Sequence, residues 1–309
     1  MSLPFPPTCH PAVEDIEREA MTWVSEFVDV PTLRHLEKTR AGRIAARTAA
    51  PQASVDLLHA YSRMLAWGFW FDDEFVDDLS ATSPLHLPAI ASVLDILDGR
   101  RGTGAAGEAM ETALVDVMSG LRLVLTREQF SRWCTELRLW FASMTLQNQM
   151  RATGVTPSVA TYKTTRLYTV CSFACIVLID ASWGDHIRWN DYHDPRLTSL
   201  RHRAANVTAW QNDVFSYFAE ERHPGKFWNL PAVYRAHGLD IGEALIKTVQ
   251  DATDEVAAFS REATTAGPSL SSGQKFHLRS LTGWMRGCHD WSLEAAERYV
   301  GWGTATEDG

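Results

Sequence analysis

The chain has 309 residues, 45% of them hydrophobic and 22% charged, with a formal net charge of −9. That length and apolar content suffice to bury a large core in a single domain, and the acidity argues against nucleic acid as a partner. Five cysteines (Cys9, Cys134, Cys171, Cys175, Cys288) are too few and too scattered for a disulfide framework or a zinc ribbon.

Residues 1–11 are proline-rich and read as an irregular tail, and nothing in them has the basic and apolar regions of a signal peptide, so a cytoplasmic location is expected. Apolar residues at helical spacing then predict helices over 12–28, 31–49 and 54–78. A Ser/Thr/Pro loop over 80–86 leads to a short helix over 87–97, and four glycines between 99 and 107 mark a loop inside the domain. Further helices are predicted over 108–125, 127–152 and 158–183. After a connection at 184–194 come 195–221, 229–236, 241–266 and 273–299, with a second irregular tail over 300–309. The apolar run over 170–181 is too short to span a bilayer of roughly 30 Å, so no stable membrane insertion is expected. No strand-period segment of useful length appears. The expectation is an all-α, single-domain antiparallel bundle around one core.

Two stretches carry chemistry. In Phe69-Trp70-Phe71-Asp72-Asp73-Glu74-Phe75-Val76-Asp77-Asp78 an aromatic run leads into five acids near a predicted helix C-terminus, where the macrodipole opposes negative charge. Taken alone, the cluster is either a solvated helix end or a set of oxygen ligands for Mg²⁺. Helical geometry puts Asp73 and Asp77 on one face, with Asp72 about 100° round from Asp73. The second stretch places Asn212, Ser216 and Glu220 one turn apart, an amide oxygen, a hydroxyl and a carboxylate laddered among Val214, Phe215, Tyr217 and Phe218. Hard-cation chelation explains that ladder better than a wet face does.

Together these stretches resemble the two metal motifs of class I terpene synthases (terpene cyclases) of the bacterial type: an aspartate-rich motif at Asp72-Asp73-Glu74-Phe75-Val76-Asp77 and an Asn-Asp-x-x-Ser-x-x-x-Glu triad at Asn212, Ser216 and Glu220. Arg166, 46 residues before Asn212, stands where that family's diphosphate-sensing arginine is expected, and Arg298-Tyr299 resembles its C-terminal Arg-Tyr pair. The resemblance runs from about residue 12 to 300. It implies a helical fold enclosing an apolar cavity and three Mg²⁺ ions held by Asp72 with its neighbours Asp73 and Asp77 and by the Asn212, Ser216 and Glu220 triad. Arg166, Arg298 and Tyr299 would then hold the diphosphate, and a homodimer is an assembly common in the family. Among the acids the resemblance favours Asp72.

The substrate implied is a linear prenyl diphosphate, farnesyl diphosphate first and geranylgeranyl diphosphate as the alternative, cyclised with release of diphosphate. A carbocation needs an apolar pocket with aromatic faces. Phe69, Trp70 and Trp291 are the candidates for it, with Thr169 and Val170, the positions three and four after Arg166, also facing the substrate. Three departures stand out. Ala219 replaces a lysine common before the triad's glutamate, Thr169 replaces an aspartate that would link Arg166 to substrate, and Trp291 lies one residue further from Arg298-Tyr299 than the pattern has it. A chain-elongating prenyltransferase would carry a second aspartate-rich motif instead of the triad. A non-catalytic helical interaction protein would scatter the two motifs over unrelated surfaces.

Overall fold

Most helix starts are set by local capping chemistry. Asp29, Ser54 and Ser158 each accept a hydrogen bond from a main-chain N–H of the first turn that follows. Thr126/Gln129, Asp240/Glu243 and Ser271/Gln274 form reciprocal capping boxes. The computed structural model describes residues 1–77, 80, 82–184, 187–221 and 228–299, without the side chain of Asp77. Its helices are α1 (Val13–Val24), α2 (Val30–Glu37), α3 (Ala41–Thr48), α4 (Val55–Asp72), α5 (His86–Leu97), α6 (Glu108–Val124), α7 (Arg127–Thr153), α8 (Val159–Thr169), α9 (Ser172–Ser182), α10 (Trp189–Tyr192), α11 (Pro195–Glu220), α12 (Leu230–Ala236), α13 (Ile241–Ala266) and α14 (Ser272–Glu294). No strand occurs among the described residues, as expected of an all-α bundle. No single described helix is long and apolar enough to cross a membrane.

Several expected boundaries change. The helix expected over 31–49 breaks into α2 and α3 at Arg40, whose φ of 52° is left-handed. The one expected over 158–183 breaks into α8 and α9 at Cys171, at φ 57°, and the two halves meet at a 43° bend. The stretch after Asp72 continues as one π-helical turn, Asp73–Asp77, and the C-terminal helix ends in a 3-10 turn, Ala296–Tyr299. The connection over 184–194 holds the short α10. The N-terminal tail has no regular structure but is docked: His10 donates its N–H to the Ala46 carbonyl at 2.8 Å, and the Phe5 carbonyl accepts from Arg286 at 3.0 Å. The second expected tail, 300–309, lies outside the described residues.

α4, α11 and α14 carry the walls of the central cavity, and close backbone contact sets the depth of α14. A Cβ at Gly287 would stand 2.6 Å from the Arg47 carbonyl oxygen, and one at Gly283 2.9 Å from that of Thr48. These two glycines let α14 lie directly on α3, which aims Trp284, Cys288 and Trp291 inward. Gly287→Ala is therefore expected to destabilise the fold by about 1–3 kcal/mol, because main chain cannot yield as a side-chain end does. A lowered thermal midpoint would show it, and an unchanged one would refute the close contact.

Candidate functional site

Along α4, Leu65, Gly68, Phe69 and Asp72 fall at spacings of three and four and therefore share a face. All four line a cavity with about 1600 Å³ of empty space, counted out to its mouth. Trp70, one residue round from Phe69, is buried in the core and does not line it, so the pocket role expected for Trp70 is not met: the helical turn points it the other way. Opposite, α11 presents Thr208, Asn212, Ser216 and Glu220, a ladder of four oxygen-bearing side chains one turn apart. The two motifs thus face one space, together with Arg166, Thr169, Val170, Trp291, Arg298 and Tyr299.

The acids divide. Asp72 faces the cavity. Asp73 does not: its carboxylate lies 3.3 Å from Arg298 Nη2 and 3.2 Å from His35 Nε2, tying the C-terminal turn to α2. The side chain of Asp77 lies outside the described residues, so its expected pairing with Asp73 carries no geometry. Burial, reinforced by the Asp73 charge, pushes the Asp72 carboxyl up to about 7 in spite of Arg298 and Arg166. Burial and Asp213 likewise push Glu220 up. Both carboxylates are thus held in surroundings that disfavour their charge.

Arg166 is held more firmly than the sequence suggested. Thr169, three residues on, offers it a hydroxyl and no carboxylate. Asp213 anchors it: Arg166 Nε donates to Asp213 Oδ1 at 2.9 Å and Nη2 to Asn212 Oδ1 at 2.7 Å. Asp213, 1% exposed, also accepts from the Tyr162 hydroxyl at 2.7 Å and the Leu230 N–H at 3.0 Å. In the sequence Asp213 stands inside the triad motif, about 100° round α11 from Asn212, and the fold turns it toward Tyr162 and Arg166 of α8. Asn212 Nδ2 donates to the Tyr299 hydroxyl at 3.2 Å, which joins the triad to the Arg-Tyr pair.

The aromatic side is equally connected. Phe69 and Trp291 stack with centroids 6.0 Å apart, and the Arg298 guanidinium sits 4.2 Å over the Phe69 ring. At the bend after α8, Trp140 Nε1 donates to the Thr169 carbonyl at 3.1 Å, satisfying a group the helix break releases.

As they stand, no three acids, histidines and cysteines among the described residues converge tightly enough to hold an ion. Asn212 spends its amide on Arg166 and Tyr299, Glu220 accepts from Asn229 at 2.6 Å, and Ser216 donates to the Asn212 carbonyl. The donors are nevertheless all hard oxygens on facing walls, the chemistry that suits Mg²⁺.

Known proteins are similar to this chain in sequence and in fold. The model of "Terpene synthase family 2, C-terminal metal binding" matches residues 63–258. A (+)-corvol ether B/(+)-corvol ether A synthase, described as (2E,6E)-farnesyl diphosphate cyclizing, from Kitasatospora setae is 34% identical over 96% of this chain and 93% of its own. A (+)-T-muurolol synthase of the same description from Roseiflexus castenholzii is 27% identical over 96% and 92%. Among solved structures, 2-methylisoborneol synthase from Streptomyces coelicolor A3(2), in complex with Mg²⁺ and 2-fluoroneryl diphosphate, superposes with a TM-score of 0.87 over 96% of each chain at 21% identity.

Proposed function

The chain belongs to terpene synthase family 2, and from that premise we propose that it ionises farnesyl diphosphate and closes the resulting cation into a cyclic terpene, releasing diphosphate. The observation that carries this reading is the meeting of Asp72 with the Asn212, Ser216 and Glu220 ladder across one cavity whose remaining lining is largely aromatic and apolar. The farnesyl chain is the substrate named for the related synthases from Kitasatospora and Roseiflexus.

Mg²⁺, three ions on the family's pattern, supplies when bound the positive charge that stabilises a departing diphosphate. Asp72 would hold it from α4, and Asn212, Ser216 and Glu220 from α11. Asp73 would serve Arg298 and His35 instead, and Asp77 is kept as a ligand only on the resemblance. Arg166 and Arg298 present guanidinium forks to phosphate oxygens, and Tyr299 adds a hydroxyl donor. For Asn212 to turn its oxygen toward a cation, Arg166 must leave it. Substrate binding and ligand formation would therefore be coupled, as the diphosphate takes over the Arg166 Nη2 donor. Phe69 and Trp291 offer ring faces to the cation, and Thr169 and Val170 add to the wall at the end of α8.

The test is to incubate purified protein with Mg²⁺ and, separately, geranyl, farnesyl and geranylgeranyl diphosphates, and to identify volatiles by gas chromatography and mass spectrometry. A cyclic product from farnesyl diphosphate, lost on chelation by EDTA, is the expected result. Turnover confined to geranylgeranyl diphosphate would overturn the substrate, and product formation unaffected by EDTA would overturn the metal sites.

A further inference from the structure

Three of the five cysteines, Cys171, Cys175 and Cys288, line the cavity. Cys171 stands at the bend that starts α9, Cys175 lies one turn on, and Cys288 projects from α14 between Trp284 and Trp291. They form one group by placement: Cys171 and Cys175 stand one turn apart at the start of α9, and Cys288 lines the same space from α14. Cys171 holds a left-handed φ of 57°, a conformation strained for a non-glycine residue. Glycine would adopt it freely, so the backbone alone does not call for a thiol there.

We propose, resting on the cyclisation reading above, that Cys171, Cys175 and Cys288 form a soft sulfur wall that determines product specificity by favouring positive charge on the carbons lying against it. Sulfur responds to a nearby cation by polarisation and is a weak hydrogen-bonding partner, so it stabilises charge without recruiting water. The aromatic faces of Phe69 and Trp291 attract a cation along their ring normals, whereas the thiols do so from any direction. The cavity then has two unlike cation-stabilising surfaces. The fold of the chain between them decides which carbons bond.

The experiment is product analysis of Cys171→Ser, Cys175→Ser and Cys288→Ser with farnesyl diphosphate and Mg²⁺. Serine keeps the shape and exchanges soft sulfur for hard, hydrating oxygen. The ratio of major to next product is expected to shift by about fivefold or more in at least one variant, the change that roughly 1 kcal/mol between competing transition states produces. Cys134→Ser, buried in α7 away from the cavity, is the control and should keep the wild-type ratio. Wild-type ratios in all three cavity variants, or an equal shift in the control, would overturn the proposal. If Cys171→Ser fails to fold, the other two replacements, within regular helix, decide it. A wild-type protein that forms no terpene from any prenyl diphosphate would instead remove the reading beneath.

Discussion

Asp72→Asn is expected to lower turnover by about 10²–10³-fold while leaving the helical fold intact, the scale of loss when one preorganised group that stabilises transition-state charge is removed. The exchange is nearly isosteric, and its effects separate cleanly because Asp72 has no hydrogen-bonded partner among the described residues whose loss would unfold the site. The Asp73 charge repels that of Asp72, whose ionised form burial already disfavours. Neutralising it removes a repulsion from the free protein, so the thermal midpoint without ligand should hold or rise slightly. What should vanish is the rise in midpoint that Mg²⁺ and inorganic diphosphate together produce, since a ligand stabilises only the state that binds it. Wild-type turnover in Asp72→Asn would remove this carboxylate from the reaction and leave Asp77 as the acid to examine. Asp73→Asn should behave differently. It releases Arg298 and His35, so its loss should appear partly as a lower midpoint of the ligand-free protein.

That contrast marks how far the sequence could be read. The bundle was legible because helical periodicity and capping residues recur along the whole chain, and the two motifs were legible because metal chemistry demands particular residue types at one-turn spacing. The breaks at Arg40 and Cys171 were not, since neither has the glycine or proline that usually signals a left-handed or interrupted backbone. An apolar run such as 170–181 reads as one helix whether or not it bends, because the bend is imposed by packing around the cavity. The division of labour between Asp72 and Asp73 also depended on tertiary structure: only the fold brings His35 and the C-terminal turn to Asp73. Asp213 was visible as part of the motif, but its partner on α8 was visible only in three dimensions. Trp70 could have been set aside from the start, since two residues before Asp72 on a helix is about 200° round, the side away from the cavity-facing carboxylate.

Asp213→Ala and Arg166→Ala are expected to fail in opposite ways, although the two side chains form one ion pair. Removing Asp213 takes from the Tyr162 hydroxyl and the Leu230 N–H their shared acceptor and leaves the Arg166 guanidinium with Asn212 Oδ1 but no carboxylate. Stranding a largely buried charge costs about 3–5 kcal/mol. Removing Arg166 leaves Asp213 with two good donors, and the loss should be nearer the roughly 1.5–3 kcal/mol of one charge-assisted hydrogen bond. Activity should order the other way. Arg166→Ala loses the guanidinium that would meet the diphosphate, and about 10²-fold in turnover should go with it. Asp213→Asn, which keeps shape and one acceptor, should retain more activity than Arg166→Ala, with the defect showing as a changed KM at partly preserved kcat if Asp213 only positions Arg166. Denaturant unfolding of both single variants and the double variant checks the pairing. The double should be clearly less destabilised than the two singles summed, because once the guanidinium is gone Asp213→Ala no longer strands a charge. Additive losses would mean that the Arg166–Asp213 contact contributes no coupling, and Arg166 would then have to be held by Asn212 alone.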